Sequence, residues 1–414
     1  MTTFPHLPSD FYEHSESLRR VRQAAFARQV SPDSVLAVVL CRVAASLPPG
    51  IVLPDRGTLD FIAALVGESG TGKSKSMDVA KDLLPDIGTD YDGVPIGSGE
   101  GIASAYVGKV DDSGTNPPLR TSALFYVDEG SQLLTVSKRE GSITADTMRS
   151  GWSGQTFGTL NASADRKRVV NRGTYRFALA VGLQPVYAAD LLTGKDAGDP
   201  QRYLFAGVTH PDIPDDVPPF PDPIRLPLTG LPEVSDTVQV DANVMKGIRK
   251  RRAAVSRGEV KPDPLDSHRD LLTLKVAALL SHLTDESGDV TADLWELATY
   301  VVDNGRNVRD YVVTQSTSER DRIWQDAIAR DLEKDAMRDE HRERRARYSM
   351  ARSMIRKAKQ VAKPTTRSIL LTSVSGKHRN VISFDDALDF ACEYGTDDGR
   401  LRRDGDYFTY LPAA

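Results

Sequence analysis

Residues Gly67-Glu68-Ser69-Gly70-Thr71-Gly72-Lys73-Ser74 match G-x-x-x-x-G-K-[ST], the spacing of a loop that holds a nucleoside triphosphate. The flanks decide whether the match carries weight. Thr58 to Val66 is a mostly apolar run of strand length, and Ser76 to Leu84 has helical spacing that Pro85 stops. Strand, glycine loop and helix come in the order this chemistry needs, because backbone N–H groups and a helix N-terminus then face the phosphates. In such loops the glycines at 67, 70 and 72 allow the tight path. Lys73 reaches the β- and γ-phosphates of ATP, and the Ser74 hydroxyl ligates Mg²⁺.

A triphosphate loop implies a second strand that ends in acid. Ala123-Leu124-Phe125-Tyr126-Val127-Asp128-Glu129 supplies it, about 55 residues after Lys73. Asp128 is placed to hold Mg²⁺, directly or through water, and Glu129 to polarise an attacking water, which hydrolysis needs and simple phosphotransfer does not. A further apolar strand, Phe177 to Leu183, ends in Gln184. That side chain either sits between the γ-phosphate and the water as a sensor or merely closes a strand, with Pro185-Val186-Tyr187 leading away. Arg202, in Gly198-Asp199-Pro200-Gln201-Arg202-Tyr203-Leu204-Phe205, precedes another strand-like run. It reads as a finger that stabilises charge in a neighbouring subunit, the alternative being a salt-bridged surface arginine.

Before the loop, Tyr12 to Leu47 is helical. Ser31-Pro32-Asp33-Ser34 looks like a cap with Pro32 at the first helical position, and Val35 to Ala45 reads as a buried helix. These helices serve either as a scaffold or as an assembly collar. Beyond the acidic pair, residues 166–176 hold five cations, Arg166, Lys167, Arg168, Arg172 and Arg176, between short β-like pieces. They read as a hairpin gripping a nucleic-acid backbone or as a solvated one. Residues 209–234 are rich in Pro and Asp and read as a crossing segment. Helical patterns at His268–Leu283 and Thr291–Asp303 suggest a lid over the nucleotide, from which Lys275 would approach the phosphates or merely flank the core.

The dense mixed charge of 321–347 is the pattern of a solvated helix. From Arg342 to Lys359 the balance shifts to eight cations in eighteen residues. A module at 348–414 follows: a helix capped by Ser383, then two alternating strands around Asp404-Gly405. Helices followed by a basic-tipped hairpin suggest a winged helix, with Lys377, Arg379, Arg402 and Arg403 as phosphate contacts or with a purely structural role.

With a net charge of -5 the chain has no global attraction to nucleic acid, so any contact is local. Cys41 and Cys392 lie in helical patterns, as buried thiols of a reducing compartment do. No secretory leader and no run of 18 apolar residues appears, so the expectation is a soluble, cytoplasmic protein without a membrane span.

On the loop at 67–74, the Asp128-Glu129 pair, Gly182-Leu183-Gln184-Pro185 and Gln201-Arg202-Tyr203-Leu204, the chain resembles the helicase-like P-loop ATPases of actinobacterial phages, plasmids and integrated elements. The resemblance spans roughly residues 12–310. It implies an AAA+ or RecA-like α/β core and a homo-oligomer, a hexamer, driven by Mg-ATP along single-stranded DNA in a central pore. Priming would come from a separate primase or initiator, since no primase domain precedes the core. Gln at the sensor position departs from the Asn usual in AAA+ enzymes and leaves the subclass open. The expected organisation is an N-terminal helical segment at 1–50, the ATPase core at 51–235, a helical lid at 236–320, and a basic helix with a winged-helix-like domain at 321–414. A DNA-binding regulator without unwinding activity is the competing reading; Glu129 and Arg202 argue against a P-loop kinase.

Overall fold

The computed structural model describes residues 3–112, 114–137, 142–160, 167–193, 200–226, 236–284 and 288–413, without side chains at 193, 318–333, 335 and 336. It divides into two units, Met1–Thr317 and Ser318–Ala414. The first opens with α1 (Glu16–Ala27) and α2 (Pro32–Ser46), followed by β1 (Phe61–Val66), α3 (Lys73–Leu83), β2 (Asp92–Val94) and α4 (Gly99–Tyr106). Next come β3 (Ser122–Val127), α5 (Gly130–Ser137), α6 (Thr144–Trp152), β4 (Arg176–Leu183), α7 (Pro185–Thr193) and β5 (Tyr203–Gly207). Helices α8 (Ala242–Ser256), α9 (Arg269–Leu283) and α10 (Ala292–Val361) complete the series, and α10 runs on across the boundary between the units.

The five strands form one parallel sheet in the order β2-β3-β4-β1-β5. β1 and β4 are buried along their whole length, as near-continuous apolar runs in a parallel sheet should be. Their facing residues are small, with Ala63 opposite Ala180, and α2 packs onto them. Residues Pro32 to Ala45 of that helix are all buried, so it is not a separate N-terminal segment but a core element of the first unit. A helix buried on every side belongs to the core of its unit. The Cys41 thiol lies 3.4 Å from the Leu179 carbonyl oxygen, and burial pushes it up, so it stays neutral.

Two charged residues of α2 are held inside. The Arg42 guanidinium donates to both Asp92 oxygens at 2.6 and 3.1 Å, to the Tyr126 hydroxyl, and to the carbonyls of Leu84 and Pro85. The Asp33 carboxylate accepts from the Leu7 N–H, the Tyr12 hydroxyl and the Asn304 amide, tying the N-terminal segment and α10 to α2. Burial pushes the Asp33 carboxyl up to about 6, against the pull of those donors. A folded-state value above the unfolded 3.8 means the folded chain binds the extra proton between the two. This group's contribution to stability therefore grows as pH falls through 6 and is complete below 3.8. Urea unfolding at pH 7 and pH 5 is expected to show that increment in the wild type and not in Asp33→Asn. Equal pH dependence in the two proteins would refute it.

The segment expected to be a lid folds differently. In α9, residues Leu272 to Leu283 are all buried, and the helix packs against α2. Lys275 is fully buried and donates to the carbonyls of Asp60 and Trp152 at 2.6 Å, with its ammonium 3.8 Å from the Trp152 ring centroid. Asp60 precedes β1, so Lys275 sits at the end of the sheet away from the phosphate loop. Burial there pulls its ammonium pKa down, against the attraction of Asp60.

In the second unit, α10 leads to a three-stranded antiparallel sheet of Thr365–Thr366, Tyr407–Leu411 and Arg400–Asp404. Helices Arg367–Leu371, Gly376–Arg379 and Phe384–Glu393 lie between its first two strands in sequence. Met350, Met354, Leu370, Leu388, Leu401 and Phe408 build a core of its own. Gly405 takes the positive φ that a two-residue hairpin loop needs, and the Ser383 hydroxyl accepts from Asp386 N–H as a helix cap. Among the described residues, no helix is long and apolar enough to cross a membrane.

Candidate nucleotide site

All five strands point the same way, so their C-terminal ends share one edge of the sheet, where ligands of open α/β sheets bind. The loop 67–72 leaves β1 at that edge and enters α3. Gly72 caps the helix at φ +105°, a conformation that side chains other than glycine rarely adopt. At Gly67 the constraint is space, since a Cβ would lie 2.0 Å from Val208 Cγ2. The loop is tied to the sheet by the Gly67 N–H donating to the Leu183 carbonyl at 3.0 Å, and to itself by the Thr71 hydroxyl donating to the Glu68 carbonyl at 2.7 Å. The Lys73 ammonium donates to the Gly67 and Glu68 carbonyls, both at 2.7 Å. Burial pulls its pKa down, while Glu68 and Glu129 act to hold the positive form.

The strand order sets the rest of the site. β4 lies between β1 and β3, pairing Val66 with Leu183 and Val127 with Val181. Gln184 therefore leaves the sheet between the phosphate loop and the Asp128-Glu129 pair. Gly182 makes this approach possible, because a Cβ there would stand 2.5 Å from the Asp128 carbonyl oxygen. A cleft of about 450 Å³ brings together Gly70, Lys73, Ser74, Asp128, Glu129 and Gln184. Lys75, Ser131 and Tyr187 complete its walls. Tyr187 does not lead away as expected. Pro185 starts α7 directly after Gln184, and the first turn carries Tyr187 back over the cleft. A proline at the first helical position was the available signal. None of the described residues from 236 onward lines the cleft, which again separates α9 from a lid.

The oxygen donors fit a hard divalent cation. Ser74 and Asp128 would offer the hydroxyl and carboxylate to Mg²⁺, an ion that keeps several waters and takes one or two protein ligands beside substrate phosphates. No cluster of three or more His, Cys, Asp or Glu able to cage a metal occurs among the described residues.

Arg202 lies at the other end of the sheet. Ile62 pairs with Tyr203 and Val66 with Gly207, so about 20 Å of strand separates Arg202 from the loop of its own chain. Its guanidinium is 5.6 Å from the Trp152 ring centroid. Burial, with Arg202 and Lys275 nearby, pulls His268 down to about 4.

The basic cluster at 166–176 is dispersed. Strands Phe157–Thr159 and Arg168–Val170 form an antiparallel hairpin, with Lys167 and Arg168 half-buried at its tip-proximal end; Arg166 lies outside the described residues. Arg172 is exposed in the turn that follows and donates to the Arg56 carbonyl. Arg176 is a correction: it is fully buried and donates to the carbonyls of Leu47, Pro48 and Ile51. Leu47 caps the C-terminus of α2, whose free carbonyls a cation satisfies, so Arg176 meets no nucleic acid. In the second unit Lys377, Arg379, Arg402 and Arg403 are all exposed. Arg402 and Arg403 are successive residues of one strand and point to opposite faces of the hairpin.

No protein-family model and no curated protein matches the chain. Among solved structures it is similar to a full-length MCM homologue from Methanopyrus kandleri, at 13% sequence identity and a TM-score of 0.39, covering 72% of this chain and 61% of that one. The chain thus spans about three fifths of the length of that structure. At this level the likeness carries no argument. The cleft's chemistry rests on its own residues.

Proposed function

We propose that the chain is an ATP-hydrolysing, ring-forming DNA helicase or translocase, or a replication-initiator ATPase, of a phage or other mobile element. The observation that carries the reading is the meeting of Lys73, Ser74, Asp128, Glu129 and Gln184 in one cleft. Lys73 holds β- and γ-phosphate oxygens. Glu129 accepts the proton of the attacking water as its oxygen joins the γ-phosphorus and ADP departs; Gln184 orients that water. Mg²⁺, when held by Ser74 and Asp128, supplies charge neutralisation on the phosphates. A kinase has no use for a carboxylate beside a water.

Arg202 is too far from its own cleft to act there, which is why the proposed role is in a neighbouring subunit of a hexamer. Mixing Arg202→Ala with Lys73→Ala chains is expected to restore hydrolysis above either alone, since some interfaces then pair an intact loop with an intact arginine. No recovery in the mixture counts against this role. DNA contact is supported by the exposed cations Arg172, Lys377, Arg379, Arg402 and Arg403. The deciding experiment is strand displacement: wild type active and Lys73→Ala inactive. ATP hydrolysis indifferent to DNA, without unwinding, would sink the motor reading. The competing reading, an ATP-dependent DNA-binding regulator, draws on the concentration of cations in the second unit.

A further inference from the structure

A cavity of about 790 Å³ in the second unit is lined by Arg338, Arg342, Arg344 and Arg345 of α10 and by Lys377 from the short helix at 376–379. Among the described residues no carboxylate lines it, in a chain whose net charge is -5. Positions 338, 342, 345 and 349 recur at helical spacing, so one face of α10 turns its cations toward an element about thirty residues further along. Like charges three and four residues apart destabilise an isolated helix. Elsewhere in the same basic run that repulsion is relieved: Arg352 and Arg356 both pair with Asp398. Arg344 has Glu340 at 3.8 Å. Among the described residues, no carboxylate lies within ion-pair distance of Arg342, Arg345 or Lys377.

We propose that this groove, between the 338–349 face of α10 and helix 376–379, binds a segment of single-stranded DNA. Its cations supply a track for successive phosphates. Tyr348 lines the same cavity, half-buried, and its hydroxyl accepts the Asp397 N–H at 3.3 Å, which fixes the ring. A concave cationic track with an aromatic ring in its wall is the arrangement that takes single strands, with bases stacking and the backbone neutralised. Duplex readers instead insert a projecting helix or ribbon into the major groove. The terminal hairpin does not line the cavity, and its Arg402 and Arg403 diverge. The choice of DNA as the nucleic acid rests on the proposed function.

The test uses the full chain and a labelled single-stranded oligonucleotide, with binding followed by anisotropy over a range of salt. Arg342→Ala with Arg345→Ala, both at exposed positions, is expected to weaken binding on the order of 10-fold and to make the log–log salt slope shallower by about 1.4, at about 0.7 per lost cation. Arg249→Ala with Lys250→Ala, exposed cations that do not line the groove, is expected to keep the wild-type slope. ATP hydrolysis without DNA is expected to be unchanged in both pairs, and the melting temperature not to fall. Wild-type affinity and slope in the groove variant would overturn the assignment, as would an equal loss for single-stranded and duplex DNA. If the groove variant still shows DNA-stimulated hydrolysis and wild-type binding, the groove falls and the motor reading stands. If the wild type itself binds no single strand, both fall.

Discussion

Replacing Glu129 by Gln is expected to slow ATP hydrolysis by about 10²–10⁴-fold, the usual contribution of a positioned general base. Nucleotide affinity should stay close to that of the wild type, because the amide keeps the size of the side chain and the phosphate loop is untouched. Phosphate release at steady state and equilibrium binding of a labelled nucleotide measure the two quantities separately. Lys73→Ala should differ in kind: its ammonium lies over the loop carbonyls, so both binding and turnover are lost. Gln184→Ala should behave like a milder Glu129→Gln, with turnover falling and affinity kept. A Glu129→Gln protein that turns over normally would remove Glu129 from the chemistry. One that loses nucleotide affinity in parallel with rate would make it a binding residue.

The largest effect on stability is expected at Arg42, where Arg42→Ala should cost about 3–5 kcal/mol, the range found when one partner of a buried ion pair is removed. The substitution leaves the Asp92 carboxylate to the exposed Lys81 ammonium at 3.2 Å and the carbonyls of Leu84 and Pro85 without their donor. Arg42→Lys should recover only part of the loss, since an ammonium cannot reproduce the two-pronged contact with Asp92. Urea unfolding of the full chain, followed by a probe in the first unit, measures the difference. A change below about 1 kcal/mol, typical of an exposed pair, would show that the cluster is not held as described.

The parts of the site that were readable from the residues alone are those that local sequence specifies. A phosphate loop is eight consecutive residues, and an apolar strand ending in Asp-Glu or Gln announces itself within seven or eight. Their convergence depends on strand order, which no local pattern contains; β4 could have been placed at an edge without changing any motif. The same limit explains the readings that failed. Arg176 looked like its exposed neighbours because what buries it, the carbonyl end of α2, lies about 130 residues earlier. His268–Leu283, with Thr291–Asp303, was read as a lid because helical periodicity shows which residues are apolar but not what covers the remaining side. Gly182 stood in the sequence only as part of a motif, since the reason for it lies in the Asp128 carbonyl across a strand pair.

Helix α2 also bears on how the chain can be cut. Its residues precede the phosphate loop and would ordinarily be the first trimmed to obtain a minimal catalytic fragment. Yet Arg42 closes the far end of α3, and the Ser34 hydroxyl meets that of Ser76 at 2.8 Å inside the protein. A fragment starting near residue 51 would leave one face of β1 and β4 bare to water, and the apolar surface so exposed would drive aggregation rather than yield a smaller enzyme. The anchor extends further upstream, because Leu7 and Tyr12 donate to Asp33. Any shortened form expected to stay in solution therefore has to retain the chain from about Phe4 onward, since Phe4 itself is buried in the same core.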